Sequence, residues 1–83
     1  MDETLEIRRK RLRFRAWHRG MKEADLVLGP FADKHLGRLS ARELDEFERL
    51  LDALDPDIYD WASGARVAPL EHAAIIRLIQ NAS

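Results

Sequence analysis

The sequence predicts an all-α fold, a compact bundle of five short helices. Three observations carry that expectation. Apolar residues return at three- and four-residue steps, as in Leu44, Phe47, Leu50, Leu51 and Leu54, the period of one helix face. Glycine and proline fall at the joints between such stretches, at Gly20, Gly29, Pro30, Gly37, Pro56, Gly64 and Pro69. No stretch reads convincingly as a strand. At 83 residues the chain has room for one domain, taken here as residues 1–83 with its first few residues flexible.

Residues 3–18 hold no glycine or proline and form the first predicted helix. Leu5, Leu12 and Ala16 share one stripe, while Ile7 and Phe14 lie nearly opposite, so Phe14 and in part Trp17 are expected at the surface among arginines. Gly20 is expected to break the chain as a left-handed cap or a tight helix junction. A second helix starts near Met21 and continues to Gly37, with Pro30 kinking rather than ending it. Ser40-Ala41-Arg42-Glu43 is a capping box, and Leu39 and Leu44 are placed as its hydrophobic staple. The third helix follows, with Leu44 to Leu54 as central core and Asp45, Glu46, Glu48, Arg49 and Asp52 facing water. Asp55 is expected as the N-cap of a fourth helix and Pro56 as its first residue. That helix carries Ile58, Tyr59, Trp61 and Ala62 and stops at Gly64. Pro69 opens the last helix, which bears Leu70, Ala73, Ile75, Ile76, Leu78 and Ile79.

Composition narrows the function. The chain has no cysteine, which excludes thiolate nucleophiles, disulfides and Cys-ligated zinc or iron–sulfur clusters. The hydrophobic fraction of 46% must build the whole core, and small domains bury only about 60% of their unfolded surface, so stability is expected to be modest. No apolar run approaches the roughly 20 residues of a membrane span, and Asp2, Glu3 and Glu6 are acidic where a mitochondrial presequence is acid-poor. A bacterial-type cytoplasmic location without membrane insertion is expected. Charge is unevenly placed: eight basic residues against three acidic through Lys22, then six against twelve from Glu23 onward. Such polarity is expected to orient the molecule toward a partner.

Candidate chemistry is sparse. His18, His35 and His72 lack the spaced partners of a helical metal site, so no metal is expected. Ser40 and Ser63 have no base at a useful spacing, and the four glycines match no phosphate-cradling loop. No catalytic residue is assigned. The stretch Arg19-Gly20-Met21-Lys22-Glu23-Ala24-Asp25 differs, since it places a planar donor, a residue without a side chain and two carboxylates within two turns. Arg19 can fork onto a partner carboxylate, Gly20 permits close approach, and Glu23 can accept beside it. The structural alternative is an Arg19–Glu23 pair at a helix junction, with Glu23 and Asp25 favouring a helix start.

The run from Arg11 through Asp25, ending in R-G-x-x-E-x-D, resembles the signature of the succinate dehydrogenase flavinylation factors, the small FAD assembly proteins of bacteria and mitochondria. Phe31-Ala32-Asp33-Lys34-His35-Leu36, the helix from Ser40 to Leu54 and Asp57-Ile58-Tyr59-Asp60-Trp61-Ala62 recur there in the same order, so the resemblance covers about residues 8–80. It implies a five-helix assembly factor, not an enzyme. Such a factor binds the flavoprotein subunit of succinate dehydrogenase, and often that of fumarate reductase, and promotes covalent attachment of FAD to a histidine of that subunit. No tightly bound cofactor is implied, because the FAD belongs to the partner. The family's signature positions fall on Arg19, Gly20 and Glu23, with Asp25 following. Arg11, Phe14 and Arg15 are the candidates that extend this partner-binding surface, with Tyr59 and Trp61 packed beneath. Some bacterial relatives are described as antitoxins. The competing reading is a nucleic-acid-binding or antitoxin-like module that lays Arg8 to Arg15 along phosphates.

Overall fold

In the computed structural model, residues 3–82 are described. Five α-helices follow one another: α1 (Leu5–Trp17), α2 (Lys22–His35), α3 (Ala41–Leu50), α4 (Asp55–Ser63) and α5 (Leu70–Asn81). A 3₁₀ turn over Leu36–Arg38 links α2 to α3, and no strand occurs among the described residues. The expected flexible start falls in part on residues 1 and 2, outside the described range. From there the chain is tied down: Arg11 grips the Glu3 carboxylate, and Thr4 Oγ1 accepts the Ile7 N–H as the N-cap of α1.

Helix α1 packs on α2, α3 on α5, and α4 against both α2 and α5. The shared core takes Leu28, Phe31 and Ala32 from α2, Leu44, Phe47 and Leu50 from α3, Ile58 and Trp61 from α4, and Ile75, Ile76 and Ile79 from α5. The radius of gyration, 11.9 Å, matches the roughly 12 Å of a compact chain of this length. The capping box forms in full: Glu43 N donates to Ser40 Oγ and Ser40 N to Glu43 Oε1. Leu39 and Leu44 are both buried beside it, which fixes where α3 begins.

Helix α1 buries only Leu12 and Ala16, too narrow a stripe to hold thirteen residues by apolar burial alone. Its arginines supply the rest. Arg8 reaches Asp45 and Glu48 on α3, and Arg9 donates to the Leu36 and Leu39 carbonyls at the two ends of the 3₁₀ turn. Arg15 donates to the Leu51 carbonyl and Asp52 beyond the end of α3. Carbonyls at helix ends lack intrahelical donors, and positive charge there opposes the negative end of the helix dipole. The basic first segment is thus folded onto acidic α3, so the charge separation expected from the sequence is largely neutralised within the molecule.

Several local expectations are corrected. Leu54 is 72% exposed rather than core, because α3 ends at Leu50 and the turn that follows breaks its register before Leu54. Leu5 and Leu70, each the first residue of a helix, are likewise exposed. Asp55 is the first residue of α4 and not its cap; Leu54 holds that position and Pro56 lies in the first turn. Gly20 is no left-handed cap, since the positive φ among the described residues belongs to Gly64 (87°), where α4 stops. Helix α2 runs through Pro30 to His35. Gly29 within it is required by packing: an added Cβ would fall within 3.0 Å of three fused-ring carbons of Trp17.

Candidate functional site

The junctions between α1 and α2 and between α3 and α4 meet around one carboxylate. Asp55 accepts from Arg19 Nε at 2.7 Å through Oδ1 and from the Gly20 backbone N–H at 2.9 Å through Oδ2. Arg19 Nη2 donates to the Ala53 carbonyl at 3.1 Å, and the Arg19 backbone N–H donates to Asp25 Oδ1 at 2.7 Å. The side chains of Arg19 and Asp55 are 12% and 16% exposed. The forked bond that the sequence assigned to a partner carboxylate is therefore made inside the molecule, to a carboxylate and a carbonyl. Pairing with Glu23, the structural alternative, does not occur.

The signature thus divides by direction. Arg19 and Asp25 face inward and brace the two junctions. Gly20 and Glu23 face outward. Glu23 is exposed on the first turn of α2 and has no hydrogen bond or ion pair among the described residues. At Gly20 the backbone φ is not positive, and an added Cβ would meet only Asp55 Oδ2, at an ordinary 3.5 Å. Nothing in the fold demands glycine there.

The α1 candidates lie on the strip of helix leading to that junction. Phe14 is 63% exposed and stacks on His18 at 3.9 Å, whose Nδ1 meets the Phe14 carbonyl at 2.7 Å. This pair forms a flat aromatic ledge one residue before Arg19. Arg11 is held by Glu3 and Glu48, which raises its pKa. The same bond from Arg11, with help from Arg8, holds the Glu48 carboxyl below its usual range. Arg15 is taken up by Asp52. The residue that sequence reasoning missed is Asp55, read as a helix cap from its place before Pro56. Its true contacts lie 35 and 36 positions away, and no local pattern signals them. Tyr59 is half-buried and Trp61 buried, packed on His72 at 5.4 Å. Among the described residues no three His, Asp or Glu side chains gather as a metal site, and no helix is long and apolar enough to cross a membrane.

A family model described as flavinator of succinate dehydrogenase matches residues 10–83. The chain is 43% identical over 84 residues to the mitochondrial succinate dehydrogenase assembly factor 2 of Scheffersomyces stipitis, covering 95% of this chain and 56% of that protein. It is 39% identical over 72 residues to the FAD assembly factor SdhE of Acetobacter pasteurianus, covering 87% and 66%. To the mitochondrial succinate dehydrogenase assembly factor 2-A of Drosophila yakuba it is 39% identical over 83 residues, covering 96% and 51%. The chain spans between half and two thirds of the length of these relatives.

Proposed function

Because the chain belongs to the flavinator of succinate dehydrogenase family, we propose that it is an assembly factor that binds the flavoprotein subunit of succinate dehydrogenase and promotes covalent attachment of FAD to it. The observation that carries this reading is the outward pair at the α1–α2 junction. Gly20 leaves a bare backbone patch that the fold itself does not require, and Glu23 offers an unpaired carboxylate one turn on. Phe14 and His18 supply an apolar ledge beside it. Arg19, Asp25 and Asp55 act indirectly by fixing the height and direction of that patch, and Arg11 and Arg15 by fixing α1.

The chain is not an enzyme in this account. It holds a mobile part of the flavoprotein so that the client's histidine and the flavin methyl group come into reacting geometry, and FAD stays with the client. Positioning of this kind lowers a barrier by several kcal/mol without an acid, base or metal from the helper. The flavoprotein of fumarate reductase is a further client on the resemblance alone; none of the relatives' names given above includes it. A bacterial-type cytoplasm is the proposed location, in keeping with the Acetobacter relative. The nucleic-acid reading is disfavoured, because Arg8, Arg11 and Arg15 already hold carboxylates.

The test is co-expression of the flavoprotein subunit with this chain or with its Gly20→Arg or Glu23→Ala variant. Covalent flavin is read as fluorescence of the denatured flavoprotein band. Both variants are expected to lower that signal while keeping wild-type helical content. Equal fluorescence with and without the wild-type chain removes the assembly role.

A further inference from the structure

A second surface is built by α2 from Leu26 to its end and by the ends of α4 and α5. There the helices part into a concavity of about 290 Å³ whose lining includes Leu26, Val27, Pro30, Phe31, Ala62 and Ile79. It adjoins another of about 310 Å³ that shares Phe31 and His35 and reaches Arg38, Leu39 and Leu78. The floor of this groove is mainly apolar, and Leu26 at its edge is 59% exposed. Each concavity lies near the lower end of ligand sites, roughly 300–1,000 Å³, a size that suits one or two inserted side chains.

The groove sets unpaired cations beside its apolar floor. Arg8, Arg11, Arg15 and Arg19 are each tied to a carboxylate. Lys34 and Arg38, which line the groove, have no side-chain hydrogen bond or ion pair among the described residues. His35 lies between them in sequence, with its ring stacked on Phe31 at 5.2 Å. The carboxylate in the lining, Glu43, already accepts the Ser40 N–H of the capping box. Lys34 and His35 in the last turn of α2 also complement the helix dipole, which accounts for those two residue types. It accounts neither for Arg38 beyond the helix nor for an apolar floor left open beside all three.

We propose that this groove is a second docking surface, occupied by a segment of the client flavoprotein in which an apolar side chain is flanked by aspartate or glutamate. The inference rests on the flavoprotein being the partner. The apolar side chain fills the floor between Leu26, Phe31 and Ile79, and the carboxylates meet Lys34 and Arg38. Burial of the apolar anchor sets how long the segment stays. The rim charges set register and the rate of encounter.

The experiment measures affinity of the purified flavoprotein subunit for the wild-type chain, Leu26→Glu, the double variant Lys34→Glu/Arg38→Glu, and Arg77→Glu. All four positions are exposed, and circular dichroism checks that helical content is kept. Arg77 is a cation outside the groove lining and controls for general charge. Leu26→Glu and the double variant are expected to weaken binding about tenfold or more, and Arg77→Glu by less than about twofold. A photo-cross-linking residue at position 26 is expected to capture a flavoprotein peptide carrying Asp or Glu beside an apolar residue. Unchanged affinity in both groove variants, a drop with Arg77→Glu as large as theirs, or a cross-link to a second copy of this chain overturns the groove and leaves the flavoprotein reading standing. No binding by the wild-type chain removes that reading itself.

Discussion

Replacing Gly29 by alanine pits helix propensity against packing, and the structure says which wins. In an open helix interior the change gains about 1 kcal/mol. Here the new methyl enters the space of the Trp17 indole, within 3.0 Å of Cδ2, Cε2 and Cε3. These are fused-ring atoms of a side chain whose Nε1–H is bonded to Asp33 at 3.2 Å, so no flexible tip can bend aside. Forcing the methyl in costs roughly 1–3 kcal/mol. Expelling the half-buried ring instead forfeits about half of the ~3–5 kcal/mol of a fully buried aromatic. Net of the helix gain, Gly29→Ala should therefore destabilise by about 0.5–1.5 kcal/mol, a fall of roughly 2–12 °C in Tm for a domain of this size. In a Trp17→Ala background the clash is gone and the same substitution should stabilise by up to about 1 kcal/mol. Denaturant melts of the four proteins form a double-mutant cycle. Stabilisation by Gly29→Ala in the wild-type background, or an equal effect in both backgrounds, refutes the reasoning.

Arg19→Ala strands a largely buried carboxylate at Asp55 and should cost about 2–3 kcal/mol in chemical denaturation; a loss within about 0.5 kcal/mol contradicts the bracing role. Gly20→Ala, by contrast, should leave Tm nearly unchanged, since its Cβ has ordinary contact distance, and a large fall would make Gly20 a folding residue. Ser40→Ala should cost about 1 kcal/mol through loss of the α3 cap, checked by the same melts. Glu48 carries a depressed pKa in the folded state, chiefly from Arg11 and then Arg8. Its contribution is therefore present above the ordinary carboxylate range, near 4.5, and fades as pH falls through the lower folded value. Glu48→Gln should be less stable than wild type at pH 7 by up to about 1 kcal/mol, with the gap closing toward pH 3; a gap constant with pH refutes the assignment.

Local physics made much of the fold legible. The Ser40 capping box, the Leu44–Phe47–Leu50 stripe and the stop at Gly64 depend on residues a few positions apart, and each lies where the sequence predicts. What escaped depends on contacts across the bundle. Gly29 reads as a helix disturbance beside Pro30, yet its cause is Trp17 on another helix. Asp55 reads as a cap, yet it grips Arg19 and Gly20. The arginines of α1 read as a free basic face until α3 is set against them. At the candidate site, the motif marked a helix junction but could not tell bracing residues from outward ones, because that depends on a carboxylate 36 residues away.

The central claim is that the chain shapes a contact while the client makes the bond. It is tested most directly by mixing purified flavoprotein subunit lacking covalent flavin with FAD, with and without the purified chain, and following covalent flavin over time. The account predicts that fluorescence of the denatured flavoprotein band rises faster with the chain present, that Glu23→Ala slows this rise with its Tm unchanged, and that no flavin becomes attached to the chain itself. Identical time courses with and without the chain, or flavin bound covalently to the chain, would contradict it.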